Sequence, residues 1–336
     1  MADQEVDHAL SGNGPTLAFY ALRMVERMQW RKLRRNTIDL YERHIRLYVL
    51  PYAGHRMVAS LRRSDSLAFL DYLLTRPTLR SPHSVNGVFQ SWVNLMNFIV
   101  DENVSLPPNI VSRIKRAHVP EPVDVLLSPA DVASIASAIR ELQPCFEIAV
   151  WLGACAGLRT GEIFGLKWSH IDFQRNMLSV EEQFMKGTSG PLKTRSSYAT
   201  LAVDTFLMER LKDHLRLPHS PPLEEVVDIS VPQIFPPLEE HVISDKGGNP
   251  VPYGKFGHQW NKAVRNTGLP KGTTLLSLRR FYISTLGNSY RHDPKTVQLL
   301  ARHARFSCTW DTYARPRRAA TRPRVDDFTE AFRETF

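Results

Sequence analysis

Four prolines fall within residues 105–128 (SLPPNIVSRIKRAHVPEPVDVLLS), in a chain that otherwise reads largely as helix. Proline lacks the backbone donor and clashes inside a helix. The segment also has no sustained apolar period, so it is predicted as a linker between two folded parts. A length of 336 residues fits two domains at about 100–200 residues each.

Upstream, residues 17–99 carry helical spacing. Ile38, Tyr41, Ile45 and Tyr48 form one apolar stripe, and Pro51 is expected to end it. Ser64 and Ser84 are candidate caps for two further helices. A bundle of about four helices is predicted, behind a loose polar tail at residues 1–15. Downstream, Ser128, Pro129 and Asp131 have the order of an N-cap, a first-turn proline and a reciprocal cap, so a helix opens there. Residues 177–203 change to strand-like alternation around a turn at 187–190, which predicts a β-hairpin or small sheet. Residues 216–252 are irregular and proline-rich, and helix returns from 253. The fold class is therefore mainly α with a small β-sheet (α+β).

Lysine and arginine exceed aspartate and glutamate by 43 − 34 = 9, which favours a polyanionic partner. The longest apolar run, residues 148–158, falls well short of the ~20 residues of a membrane span. The N-terminus has no secretory h-region. Nucleic acid is thus the expected polyanion, in the cytoplasm and associated with a bacterial nucleoid. The three cysteines, Cys145, Cys155 and Cys308, form no CxxC pair and argue against a disulfide framework or a zinc site. There is no GxxxxGK[ST] and no HExxH.

Four segments of the second half carry pointed chemistry. In 156–172 (AGLRTGEIFGLKWSHID), Gly157 and Gly161 bracket Arg159 at the start of a helix. The bland reading is an arginine paired with Glu162. In 190–203 (GPLKTRSSYATLAV), Lys193 follows the turn. In 275–285 (LLSLRRFYIST), Arg279 and Arg280 interrupt an apolar helix. In 301–316 (ARHARFSCTWDTYARP), His303 and Tyr313 lie ten residues apart. In the first half, Arg31, Lys32, Arg34 and Arg35 of WRKLRRNT are candidate DNA-phosphate contacts or simply a solvated helix face.

In their order and company these segments resemble the tyrosine recombinases, or phage-type integrases. GLRTGEIFGL matches the family's G-L-R-x-x-E-x-x-x-L box with Arg159 and Glu162. LKTRSS matches P-K-T-x-x-S with Lys193. LSLRR aligns Arg279 with the arginine of H-x-L-R-H. ARH followed by TWDTY matches the closing L-G-H and T-x-x-x-Y with His303 and Tyr313. Two positions depart from the pattern. Leu276 stands where the family usually has histidine, and a leucine exchanges no proton. Ser277 and Arg280 are its polar neighbours. Arg302 stands where the family has glycine.

The resemblance covers roughly residues 20–320. It implies a helical, SAM-like core-binding domain at 16–120 and a tyrosine-recombinase catalytic domain at 121–336. A C-terminal helix bearing Val325, Phe328 and Phe332 would dock on a neighbouring protomer. It implies a site-specific recombinase (integrase) that cleaves and rejoins DNA through a 3′-phosphotyrosine, with no metal, cofactor or ATP. Arg159, Arg279 and His303 would hold the phosphate, Lys193 would protonate the leaving oxygen, and Tyr313 would be the nucleophile. The implied partners are double-stranded attachment sites, three further copies in a tetramer on DNA, and accessory bending or directionality factors. A type IB topoisomerase-like enzyme, a DNA-binding relative that has lost cleavage, and a metal-dependent transposase remain the alternatives.

Overall fold

The computed structural model describes residues 14–102, 104, 106–107, 109–120, 125–192, 197–217, 240–245, 249–288 and 293–304. Lys193, Tyr313, Cys308, residues 1–13 of the tail and the expected docking helix lie outside these residues. The architecture is mainly helical with small antiparallel sheets, as the sequence predicts. The chain separates into two compact units, residues 1–122 and 123–336.

The first unit holds α1 (Leu17–Trp30), α2 (Arg35–His44), α3 (Leu50–Ala53), α4 (Arg63–Leu74) and α5 (Pro82–Asp101). Ile38, Ile45 and Tyr48 of the apolar stripe are buried. Pro51 does not end that helix. A π-helical turn, Ile45–Val49, joins α2 to α3, and the Leu50 N–H bonds to the Ile45 carbonyl five residues back. A wider turn spaces the backbone where a proline ring would otherwise meet the carbonyl four residues before it. The caps also differ from expectation. Asp65 accepts the Arg62 N–H at 2.7 Å to open α4. Ser81, not Ser84, caps α5 by accepting the Ser84 N–H at 3.1 Å, with Pro82 in the first turn.

Phe69 and Trp92 centre this core, with rings 4.6 Å apart. The Trp92 indole donates to Ser66 Oγ at 2.9 Å, so the buried N–H is satisfied. The expected linker starts later than its prolines suggest. Ile110 is buried in this core, and Arg63 donates to the Asn109 carbonyl at 2.8 Å. Asn86 bonds both backbone groups of Ala117 at 2.8 and 3.0 Å. The prolines bar helix, but Ile110, with Val111 and Ile114 packed beside it, and these side-chain bonds hold this stretch of chain in place.

The second unit begins with α6 (Pro129–Leu142), α7 (Glu147–Cys155) and α8 (Thr160–Gly165). Ser128 and Asp131 cap α6 reciprocally, at 3.2 and 2.7 Å. Strands β1 (Ile171–Asp172), β2 (Met177–Val180) and β5 (Ala199–Ala202) form one antiparallel sheet in the order β1-β2-β5. Strands β3 (Glu182–Met185) and β4 (Thr188–Pro191) form a separate hairpin. Its turn is the pair Lys186–Gly187, both at positive φ (54° and 80°), as a two-residue hairpin turn requires. Residues 188–190 lie in the strand, not in the turn. Then come α9 (Thr205–Leu215), α10 (Tyr253–Asn266), α11 (Leu275–Asn288) and α12 (Pro294–Leu300). Phe146, Phe164, Phe256 and Trp260 interlock at 5.3–5.7 Å between ring centres in this unit's core. This core fixes α7, α8 and α11, the elements that carry the site.

Candidate active site

The site begins at a chain reversal. After α7 the backbone turns at Gly157, with φ 60°. A Cβ there would lie 2.4 Å from the Tyr282 ring of α11, so only glycine lets the two segments meet. The close approach exposes the Gly157 carbonyl to two guanidiniums. Arg279 of α11 donates to it and to the Ala301 carbonyl at the end of α12. Arg302 donates to it at 3.4 Å.

Arg159 is the N-cap residue of α8. Glu162, in the first turn, accepts the Arg159 backbone N–H on Oε2 at 2.9 Å. The same carboxylate accepts Arg159 Nη1 on Oε1 at 2.8 Å and pairs with Arg302 Nη2 through Oε2 at 2.9 Å. Arg159 Nη1 also reaches Ser197 Oγ at 3.3 Å, and Nη2 reaches the Arg302 carbonyl at 3.4 Å. The Arg159–Glu162 pair that the bland reading foresaw thus exists, inside a larger cluster. Glu162 is nearly fully buried, whereas the Arg159 side chain is 35% exposed.

Among the described residues, three guanidiniums therefore surround one carboxylate, an excess of two positive charges before any from His303. Burial lowers the Arg279 pKa, with the Arg159 and Arg302 charges adding to it, to about 9. Burial and then Arg279, Arg159 and Arg302 push the His303 imidazole down to about 4, so it is neutral at pH 7. Burial pushes the Glu162 carboxyl up. The Arg302 charge and the Arg159 contacts outweigh it and hold the group below its ordinary value. Such a buried cationic excess calls for an anion.

The structure brings together Arg159, Arg279 and His303. Arg302 and Ser197 join them. Sequence reasoning noted Arg302 only as a departure from glycine. Ser197, the closing serine of LKTRSS, was quoted within a motif but given no part. Leu276 lies one helical turn before Arg279 and is 52% exposed. Ser277 Oγ accepts the Thr274 N–H at 3.1 Å, which engages it at the start of α11. In the first unit, Arg31, Lys32, Arg34 and Arg35 are exposed in and beside the turn between α1 and α2, not along one helix face. Lys32 has φ 52°, and Arg35 pairs with Asp39 at 2.9 Å. Among the described residues no three His, Cys, Asp or Glu side chains converge on a metal position, and no helix is long and apolar enough to cross a membrane.

The sequence signature of the Phage integrase family matches residues 127–319, more than half of the chain and the whole of this site. The chain belongs to that family of tyrosine recombinases. It is 26% identical over 287 residues to the integrase/recombinase-like protein y4qK of Sinorhizobium fredii, spanning 85% of this chain and 81% of that protein. It is also 26% identical over 171 residues to a XerC-like tyrosine recombinase of Caldanaerobacter subterraneus, spanning 47% and 42%. The fold matches the Tn1549 transposon integrase solved with transposon right-end DNA, with TM-score 0.74 and 18% identity over 96% of this chain and 100% of that one. It also matches a lambda integrase dimer on a COC′ core site, with TM-score 0.71 and 15% identity over 96% and 84%. At such low identity these two integrases share the fold of this chain.

Proposed function

We propose that this integrase-family protein is a site-specific DNA recombinase that cleaves and rejoins DNA through a 3′-phosphotyrosine, without metal or ATP. The observation that carries the reading is the cluster of Arg159, Arg279 and Arg302 around Glu162, the one carboxylate in it among the described residues. A phosphodiester is an anion, and its transfer spreads charge over the non-bridging oxygens. Catalysis of that transfer is largely positioning and electrostatic stabilisation. Guanidinium forks match two such oxygens.

In this reading Arg159 and Arg279 take the non-bridging oxygens. His303, neutral at pH 7, donates its one N–H to the same phosphate. The Tyr313 hydroxyl gives its proton to a water molecule, since Leu276 offers no acceptor, and its oxygen attacks phosphorus as the bond to the 5′-oxygen breaks. Lys193 gives the leaving oxygen its proton, and a 5′-hydroxyl departs. The covalent link keeps the phosphodiester energy, so another 5′-hydroxyl reverses the step without ATP. Four copies on two attachment sites exchange strands in two rounds, with accessory bending factors setting direction. Arg31, Lys32, Arg34 and Arg35 supply phosphate contacts in the first unit.

Leu276 supports a second reading, a relative that grips DNA without cutting it. One experiment separates the two. The purified chain is mixed, in EDTA, with nicked duplexes selected by binding from a random pool, and a denaturing gel is read for a protein–DNA adduct. The recombinase reading requires an adduct that Tyr313→Phe abolishes. Tight, salt-sensitive binding with no adduct on any selected duplex refutes it.

A further inference from the structure

Arg302 sits where the backbone disfavours it. It follows the last turn of α12 at φ 54°, a left-handed conformation that suits glycine. The His303 N–H bonds to the Gln298 carbonyl at 3.1 Å, and the Arg302 N–H bonds to the Leu299 carbonyl at 2.9 Å. These contacts hold the helix end in that shape whatever the side chain. The side chain turns inward and is only 1% exposed. Its Nε is buried with no hydrogen-bond partner among the described residues, and the like charge of Arg159 stands beside it. A strained backbone, a buried cation and an unmade hydrogen bond all oppose folding, so the residue has to be explained by what its guanidinium does.

Its contacts lead to Arg159. Nη2 takes Glu162 Oε2 at 2.9 Å, Nη1 takes the Ser197 carbonyl at 3.3 Å, and the Arg302 carbonyl receives Arg159 Nη2 at 3.4 Å. With Oε2 occupied by Arg302 and the Arg159 backbone N–H, the Arg159 fork meets Glu162 through Nη1 alone. A carboxylate left to Arg159 would instead accept both of its terminal nitrogens side by side, the geometry these groups prefer. We propose that Arg302 is a positioning residue of the phosphate site: by dividing Glu162 between two guanidiniums it denies Arg159 a closed fork and keeps it turned outward for an incoming phosphate. The proposal rests on the phosphate-clamp reading above. Arg302 is too buried to touch the ligand, so its action runs through Glu162 and Arg159.

The test compares full-length wild type with Arg302→Gly, Arg302→Asn and Arg302→Lys. Glycine and asparagine both tolerate the left-handed backbone, so either keeps the comparison open if the other folds poorly. Four quantities are read: the unfolding midpoint, the single-turnover rate of adduct formation, the DNA Kd, and the titration of His303 by NMR with ¹⁵N-labelled histidine, with and without inorganic phosphate. The expected result for Arg302→Gly is an unfolding midpoint near that of wild type. Adduct formation falls at least tenfold while Kd changes less than threefold. The His303 titration moves up toward the ordinary histidine value and responds less to phosphate. Lysine restores the rate only in part, because it is a point charge rather than a fork. A wild-type rate in a folded glycine or asparagine variant overturns the proposal. So does a rate loss that only tracks lost stability. Should wild type form no adduct at all, the cleavage reading fails separately. Phosphate titration then decides the positioning role: wild-type His303 responding to phosphate and the glycine variant responding less supports it, and equal responses overturn it.

Discussion

Glu162→Gln removes the carboxylate that, among the described residues, stands alone with three guanidiniums, and keeps the side chain's shape. Glu162 Oε1 pairs with Arg159 at 2.8 Å, and Oε2 pairs with Arg302 at 2.9 Å and accepts the Arg159 N–H at 2.9 Å. A glutamine still offers one oxygen, so the cap of α8 can survive. The charge cannot. Arg302 is buried and loses its only ion partner among the described residues, which costs about 3–5 kcal/mol when one member of a buried pair is removed. Arg159 is partly exposed, so water screens its loss to about 1 kcal/mol or less. The expected loss is therefore about 4 kcal/mol, a large share of the roughly 5–15 kcal/mol that holds a domain folded. Guanidinium chloride unfolding measures it as a lower midpoint at constant slope. The pH dependence has a fixed sign. The Glu162 carboxyl is held below its ordinary value, so the pair contributes stability above the unfolded carboxylate value and loses it as pH falls through the folded one. The gap between wild type and variant must shrink in acid. The uncompensated charge rises from two to three, so added sulfate must also stabilise the variant more than wild type. A loss under about 1 kcal/mol, well below the buried-pair cost, or a gap that does not change with pH, would refute the reasoning.

Gly157→Ala places a methyl 2.4 Å from the Tyr282 ring at φ 60°, so a loss of about 3 kcal/mol or more is expected in the same unfolding assay, together with low soluble yield. Leu276→His puts a proton acceptor one turn before Arg279. A positioned base contributes about 10²–10⁴-fold elsewhere, so single-turnover cleavage should rise by at least tenfold, with DNA affinity nearly unchanged. Lys32→Ala should lower the slope of log affinity against log salt by about 1 if the exposed turn contacts a phosphate.

Much of both units was legible because their signals are local. The α6 cap of Ser128, Pro129 and Asp131 needs only four consecutive residues, and the stripe of Ile38, Ile45 and Tyr48 needs only helical spacing. The order of the boxes around Arg159, Arg279 and His303 carried the family. What escaped depends on contacts across the chain. Pro51 reads as a stop until a π turn before it spaces the backbone. Residues 109–117 read as linker until Ile110 finds a core and Asn86 finds Ala117. Arg302 reads as a misfit for glycine. Its use appears only when the helix end turns its side chain back toward Glu162, 140 positions earlier in the chain.

The most direct test of the account is to digest the covalent adduct formed in EDTA and locate the nucleotide-bearing residue by mass spectrometry. The account predicts a 3′-phosphate ester on Tyr313 and on no other residue. An adduct on a serine, on Tyr282 or on any other tyrosine would contradict it, and so would cleavage that needs a divalent metal.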